Sequence, residues 1–179
     1  MRYFRSFILV LSAIFAPATY AASAAVIDQE VNETLHRFTG EIKGADNLLA
    51  ASKGVLVFPK VYKAGIGIGG EYGEGALRVG GRTVAYYNTV AGSVGFQLGA
   101  EAKSIVILFE DESSLNKFRN SEGWKVGVDG SVALVDVGIG KSIDTNTIKD
   151  PVIGFVFGQK GLMYNLTLEG SKFNKIEKK

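Results

Sequence analysis

The sequence predicts an α+β fold dominated by strands: a mostly antiparallel, strongly coiled sheet or partly closed barrel, with short helices and an N-terminal amphipathic helix. Two observations predict this class. Short apolar runs with a two-residue alternation recur between turn residues, without the strand–helix alternation of a parallel sheet. Glycine also recurs along one face of these runs, and a face without side chains lets strands coil sharply.

Residues 1–24 are typical of a secretory signal peptide and are set apart from the fold. Arg2 and Arg5 precede an apolar run over residues 7–15, and small residues follow it. The run is shorter than the roughly 20 residues that a transmembrane helix needs. The sequence therefore predicts export to the periplasm or cell envelope, or secretion.

The remaining residues, 25–179, predict a single domain with a short basic C-terminal tail. Cleavage of the leader after Ala21 and cleavage after Ala24 both fit the small residues there. The chain has 20 Lys and Arg against 18 Asp and Glu, and the leader holds two of the arginines, so the exported part is balanced in charge. This balance argues against a nucleic-acid partner, which would require a clustered basic face. The chain has no cysteine, which excludes disulfides and a lipid-modified cysteine.

Three helices are predicted from apolar spacing and caps. The first, over residues 28–39, begins at a potential cap, Asp28, and its polar face is not basic. Its apolar stripe comprises Ile27, Val31, Leu35 and Phe38. A second short helix is predicted over residues 45–52 and a third over residues 111–120.

The predicted strands are short and numerous. We expect them over residues 54–58, 63–69, 83–89, 93–100, 104–109, 124–139, 152–157 and 162–168. Pro59 marks an edge or a bend, because proline cannot donate to a ladder. Gly73–Gly75 and Gly80–Gly81 are candidate turns, and residues 143–150 a polar loop. The tail from Ser171 is expected to be a solvated end.

The run from Gly65 to Gly70 has the spacing Gly-x-Gly-x-x-Gly of dinucleotide-binding loops. The residues after it, from Glu71 to Gly75, do not begin a helix that could hold a pyrophosphate. We therefore interpret these glycines as scaffold that lets the strand curl, and expect no cofactor. The scaffold glycines are Gly65, Gly67, Gly69 and Gly70.

The sequence offers little for catalysis. It has no cysteine and one histidine, His36, which the first predicted helix would carry on its surface. Glu71 and Glu74 could hold a hard cation in a glycine-rich turn, but a solvated turn is the simpler interpretation. We expect no catalytic residues, no metal site and no enzymatic activity.

Four cations cluster in sequence around the central glycine-rich stretch: Lys60, Lys63, Arg78 and Arg82. If the turns that contain them meet at one rim of the sheet, they would bind the anionic headgroups of phospholipids. The alternative is a scattered, solvated set.

The chain resembles the SYLF domain family, also called the bacterial lipid-binding SYLF or actin-regulator-like family. The resemblance covers about residues 32–172. Its motifs are residues 54–59, 63–73, 93–100, 105–109, 160–162 and 168–170. It implies a β-rich domain that associates with lipids; eukaryotic relatives bind phosphoinositide membranes through a basic N-terminal segment, and some bind actin.

What the resemblance carries over to this chain is lipid binding, with Lys63 and the glycine run as matched positions. The acidic N-terminal helix departs from the basic segment of the eukaryotic relatives, and an exported protein would not meet cytoskeletal actin. The prediction is an exported, non-catalytic lipid-binding domain of the bacterial envelope, with a phospholipid or membrane surface as its partner. The alternative is a structural or protein-interaction module of the envelope without a lipid ligand, its protein partner unknown.

Overall fold

The computed structural model describes residues 22–135, 149–158, 161–162 and 168–179. The elements in chain order are α1 (Ala24–Glu41), α2 (Ala45–Ala51), β1 (Gly54–Val79), β2 (Arg82–Phe109), α3 (Glu112–Arg119), β3 (Trp124–Lys125), β4 (Ala133–Leu134), β5 (Val152–Gly158), β6 (Gly161–Leu162) and β7 (Lys172–Ile176). The strands form a strongly curled half-barrel, so the predicted strand-dominated α+β class is confirmed. Residues 1–21 of the predicted leader lie outside the described residues, and the boundary between leader and domain stays a prediction.

One long hairpin, formed by β1 and β2, organises the molecule. The antiparallel ladder runs from the Gly54–Phe109 pair to the Val79–Arg82 pair. Gly80 and Gly81 form the turn, both with positive φ (57° and 77°), as a two-residue hairpin loop requires. The predicted turn at Gly80–Gly81 is therefore confirmed.

Five predicted short strands merge into these two long ones. The predicted break at Gly73–Gly75 is wrong, because β1 continues through it with an unbroken register against β2. Pro59 does coincide with a register shift between Phe58 and Val61, which confirms the predicted bend at that position.

The strand β1 doubles back on itself, and two glycines make this possible. A Cβ atom on Gly73 would lie 2.6 Å from the carbonyl oxygen of Lys60, and one on Gly75 would overlap the carbonyl group of Val57. Residues 73–75 therefore cross the start of the same strand in backbone contact, and any side chain there would prevent the crossing.

The sheet has the order β3-β7-β2-β5-β4, with β1 beside β2 and β6 beside β5. The β4–β5 pair is parallel, and the other strand pairs are antiparallel. The Gly158–Gly161 pairing supports the hairpin predicted there. Most of the predicted loop at 143–150 lies outside the described residues, and so does most of the strand predicted at 162–168. The residues concerned are 143–148 and 163–167.

Two predictions about the C-terminal third are wrong. The tail from Ser171 is not a solvated end, since β7 pairs with both β2 and β3 and buries Phe173. The strand predicted from residue 124 is interrupted in its described part: the Asp129 carboxylate accepts from the amide of Lys125, and Gly127 takes a positive φ of 85°. The chain therefore turns after β3 instead of continuing to alternate.

The core lies on both faces of the curled sheet. On one face α1 and α2 pack against the sheet, and the ring of Phe38 meets that of Phe155 edge-on at 4.9 Å. On the other face α3 packs through Leu115 and Phe118. No helix in the described ranges is long and apolar enough to cross a bilayer.

The three predicted helices are confirmed, with one correction. Ser23, not Asp28, caps α1: its side chain accepts from the amide of Val26. Asp111 caps α3 through the amide of Ser114, as predicted. Asp28 lies within α1, where its carboxylate is available to the sheet.

Candidate functional site

The Asp28 carboxylate ties α1 to the hairpin tip, which comprises residues 76–86. It accepts from the hydroxyl of Thr83 at 2.7 Å and from that of Tyr86 at 2.9 Å. Burial, with a further contribution from Asp28, raises the pKa of Tyr86 above its ordinary value. The hydroxyl therefore stays protonated and donates to the carboxylate.

Arg78 joins the same contact between helix and hairpin. Its guanidinium donates to Oδ1 of Asn32 at 2.6 Å and to the backbone carbonyl of Asp28 at 3.2 Å. Residues 28 and 32 are one helical turn apart and share one flank of α1. This predicted headgroup cation thus takes part in docking the helix.

Lys60 contacts the opposite flank of α1. Its ammonium donates to Oε1 of Glu30 at 2.5 Å, and this hydrogen bond raises the pKa of Lys60 above its ordinary value. Glu30 is about 200° around the helix from Asp28, so the two contacts hold α1 from either side. The pair is partly exposed, which limits what it adds to stability.

The carboxylate of Glu71 lies between two lysines. Its Oε2 is 2.6 Å from the ammonium of Lys103, a residue only 5% exposed, and its Oε1 is 3.8 Å from that of Lys63. Glu71 is far from Lys103 along the ladder, and the curl of the hairpin brings the two together. The ion pair therefore stabilises the curl of the hairpin. Because its charges are largely buried, loss of either partner would leave an uncompensated charge and destabilise the curl.

Glu74 forms a second such contact. Its carboxylate accepts from the hydroxyl of Tyr72 at 2.9 Å and pairs with the ammonium of Lys178 at 2.7 Å. Burial and the hydrogen bond to Glu74 raise the pKa of Tyr72. Lysines neutralise both Glu71 and Glu74, and the described part of the chain contains no group of three or more potential metal ligands.

The four predicted headgroup cations thus occupy different environments. Lys60, Lys63 and Arg78 each contact acidic or amide groups of the chain itself. Arg82 is exposed beside the hairpin turn, and its side chain has no charged or hydrogen-bonding partner within the described ranges. Binding of headgroups by these four residues stays a prediction.

Sequence reasoning missed Lys103 and Lys178. Lys103 precedes a fully apolar run, residues 105–109, and a lone charge at the start of a buried strand is the signal that could have identified it. Lys178 gave no such signal, because it follows other lysines in a tail with the composition of a solvated segment.

Two cavities flank the helices. A narrow one of about 80 Å³ lies beside α1, where Arg37 donates to Ser104 at 3.3 Å and stacks over the ring of Phe157. A larger one of about 460 Å³ lies between the start of α3 and the turn after β3. Its lining includes Asp111, Ser114, Trp124, Gly130 and Pro151. The volume of the larger cavity is within the range of small-molecule sites.

Comparison with known families gives one match. Residues 90–178 match the family model described as "Ysc84: Las17-binding protein actin regulator". The matched segment begins in the first third of β2 and extends through β7. No curated protein sequence matches the chain significantly.

Proposed function

Residues 90–178 belong to the Ysc84 family, the family of the SYLF domain, and on this basis we propose that the protein is a non-catalytic lipid-associating module exported to the bacterial envelope. The family suggests a lipid-binding or actin-regulator-like module. Export would separate the protein from cytoskeletal actin, so of these two activities lipid association is the one we assign.

Three observations support a non-catalytic role. The single histidine, His36, is exposed on α1 and lines neither of the two cavities described above. The carboxylates of Glu71 and Glu74 are engaged by lysines, and that of Asp28 by two hydroxyls. A general base needs a carboxylate or imidazole that is both free to take a proton and within hydrogen-bond reach of a bound substrate. These acids instead hold the curl and the helix in place.

Vesicle co-sedimentation tests the lipid assignment. At low salt, the purified domain is expected to sediment with vesicles of phosphatidylethanolamine and phosphatidylglycerol. Arg82→Gln is expected to weaken this binding, because it removes one of the predicted headgroup contacts. Phosphatidylcholine vesicles show how much of the binding depends on anionic lipid. Recovery of the protein in the supernatant with both kinds of vesicle would contradict the proposed function.

Export is tested by the N-terminus of the protein purified from its host. We expect the mature chain to begin at Ala22, because cleavage after Ala21 retains Ser23 as the cap of α1 and the amide of Ala24 that donates to Lys179 O at 3.2 Å. Cleavage after Ala24 would remove both. Intact-mass measurement distinguishes the two products, and a chain that still begins at Met1 would contradict export.

A protein-interaction module is the second candidate. The name of the matched family, a Las17-binding actin regulator, is the observation that favours it. A pull-down from the envelope fraction that returns one stoichiometric protein, together with an absence of vesicle binding, would support this candidate over the first.

A further inference from the structure

A cavity of about 460 Å³ opens between α3 and the turn after β3, and the proposed lipid association does not use it. We call it the α3 cavity; Lys117 lines its wall on α3, and Asp129 lines its wall on the turn. The buried residues Trp124 and Val152 form an apolar floor, whereas polar residues such as Lys117 and Ser131 are exposed at the mouth. An apolar floor below a few polar groups is typical of small-molecule sites.

Close packing fixes the floor of the α3 cavity. The ring of Trp124 stacks on that of Phe173 at 5.9 Å and meets that of Phe118 edge-on at 5.7 Å. Gly130 lies against the same indole, because a Cβ atom there would be 2.6 Å from Cζ2 of Trp124. The indole is therefore held by the rings and the backbone around it, and the cavity has the preformed shape that lowers the cost of binding a ligand.

The α3 wall of the cavity carries a positive charge and a hydroxyl. Ser113 and Lys117 are one helical turn apart and lie on the flank of α3 away from Leu115 and Phe118, which face the core. Among the described residues, the side chains of Ser113 and Lys117 find no hydrogen-bond or ion-pair partner. The ammonium and the hydroxyl can therefore both donate to an anionic group in the cavity.

The wall on the turn carries an oriented carboxylate. Oδ2 of Asp129 accepts from the backbone amide of Lys125 at 2.6 Å, which fixes the side chain, and Oδ1 takes no part in this contact. Asp129 is therefore able to accept from an ammonium group through its second oxygen. A further carboxylate, that of Asp111, lines the cavity where it caps α3 through the amide of Ser114, and the helix N-terminus offsets its charge.

From these two walls we propose that the α3 cavity binds a small zwitterion, in which a primary ammonium lies a few atoms from a phosphate or carboxylate group. Lys117 binds the anionic group, and Asp129 binds the ammonium. A purely anionic ligand would face the carboxylates of Asp111 and Asp129, a purely cationic one would leave Lys117 unpaired, and a neutral one would compensate neither wall. The site does not depend on the proposed lipid association, although the ethanolamine phosphate headgroup of a phospholipid has this chemistry.

Titration with glycerophosphoethanolamine, a soluble zwitterion, tests the site. Trp124 is the one tryptophan of the chain, so its emission reports on the floor of the cavity, and saturation-transfer NMR detects the bound ligand independently. We expect saturable binding with a Kd of about 1 mM, as a ligand of about a dozen non-hydrogen atoms allows. Glycerophosphoglycerol, which lacks the ammonium, and ethanolamine, which lacks the phosphate, should each bind about tenfold more weakly.

Two variants test the roles of the two walls. Lys117→Gln removes the positive charge and should raise the Kd for glycerophosphoethanolamine by about tenfold. Asp129→Asn keeps an oxygen that can accept from the amide of Lys125 but removes the charge, so the preference for glycerophosphoethanolamine over glycerophosphoglycerol should be lost. The matched control is Arg119→Gln, which changes a cation of α3 that does not line the cavity and should bind as the unmodified chain does.

Vesicles distinguish the two sources of such a ligand. If a lipid headgroup enters the cavity, Lys117→Gln should weaken binding to phosphatidylethanolamine–phosphatidylglycerol vesicles more than binding to phosphatidylglycerol alone. If the ligand is a free zwitterion, the two kinds of vesicle should be affected equally. Both results support the site once glycerophosphoethanolamine has been shown to bind.

Two results would overturn the inference. One is the absence of saturable glycerophosphoethanolamine binding in both the emission and the NMR measurement. The other is an equal affinity of the unmodified chain, Lys117→Gln and Asp129→Asn, because the ligand would then bind outside the α3 cavity. Failure of the unmodified chain to sediment with vesicles would contradict only the proposed function, since the soluble ligand is titrated without vesicles.

Discussion

Gly75→Ala is expected to lower the free energy of unfolding by about 3 kcal/mol or more, one of the largest effects of any single substitution in this chain. The added Cβ atom would overlap the carbonyl group of Val57 and meet the ring of Phe58 at 2.8 Å. The obstructing atoms belong partly to the backbone of a buried strand, so no change of rotamer can relieve the overlap. Urea denaturation followed by circular dichroism measures the change.

The matched control for Gly75→Ala is Gly92→Ala. Gly92 lies in β2 with the same extended geometry, and a Cβ atom there would meet nothing within 4 Å. We expect Gly92→Ala to change the free energy of unfolding by less than about 0.5 kcal/mol. Equal effects at both glycines would mean that the crossing of β1 over its own start is not what requires glycine at residue 75.

Phe118→Ala is expected to cost about 3–5 kcal/mol of the free energy of unfolding. The ring of Phe118 lies 4.9 Å from the ring centres of both Tyr87 and Phe109, and 5.7 Å from that of Trp124. It is the residue through which α3 enters this aromatic cluster, and its removal leaves a cavity bounded by rings held in strands.

Two probes can follow the Phe118→Ala variant. Urea unfolding gives the loss of stability, and the emission of Trp124, the one tryptophan, reports on the cluster itself. Lys117→Ala, on the exposed side of α3, is the control and should alter stability by less than about 0.5 kcal/mol. A stability loss below about 1 kcal/mol for Phe118→Ala would show that α3 contributes little to the core.

The local sequence pattern is sufficient to predict an element wherever the residues of that element determine its structure. The apolar stripe from Ile27 to Phe38 predicts α1, and the adjacent glycines at 80 and 81 predict the hairpin turn, because spacing and φ preference act within a few residues. The turn that Gly73 and Gly75 predict is wrong for the opposite reason. Glycine serves both turns and close backbone approach, and the approaching segment is more than a dozen residues away.

The same distinction applies to the charged residues. The sequence identifies Lys60, Lys63 and Arg78 as cations near the central strands, but not their partners Glu30, Glu71 and Asn32. The sequence predicts Asp28 as a helix cap because a cap is a local role. Its actual partners, Thr83 and Tyr86, come into reach only after the hairpin tip meets α1. The C-terminal strand is likewise determined by pairing with β2 and β3 instead of by its own composition.

The length of the β1–β2 hairpin has a kinetic consequence. The pairs beside Gly80–Gly81 close loops of a few residues, whereas the Gly54–Phe109 pair at the other end joins residues more than fifty positions apart. Closing the far end first would cost much more chain entropy. Pairing is therefore expected to start at the turn and to proceed residue by residue, because each new pair shortens the loop that the next pair has to close. Assembly then runs from the hairpin tip to the Gly54–Phe109 pair, and α1 can dock through Asp28 as soon as the tip has formed.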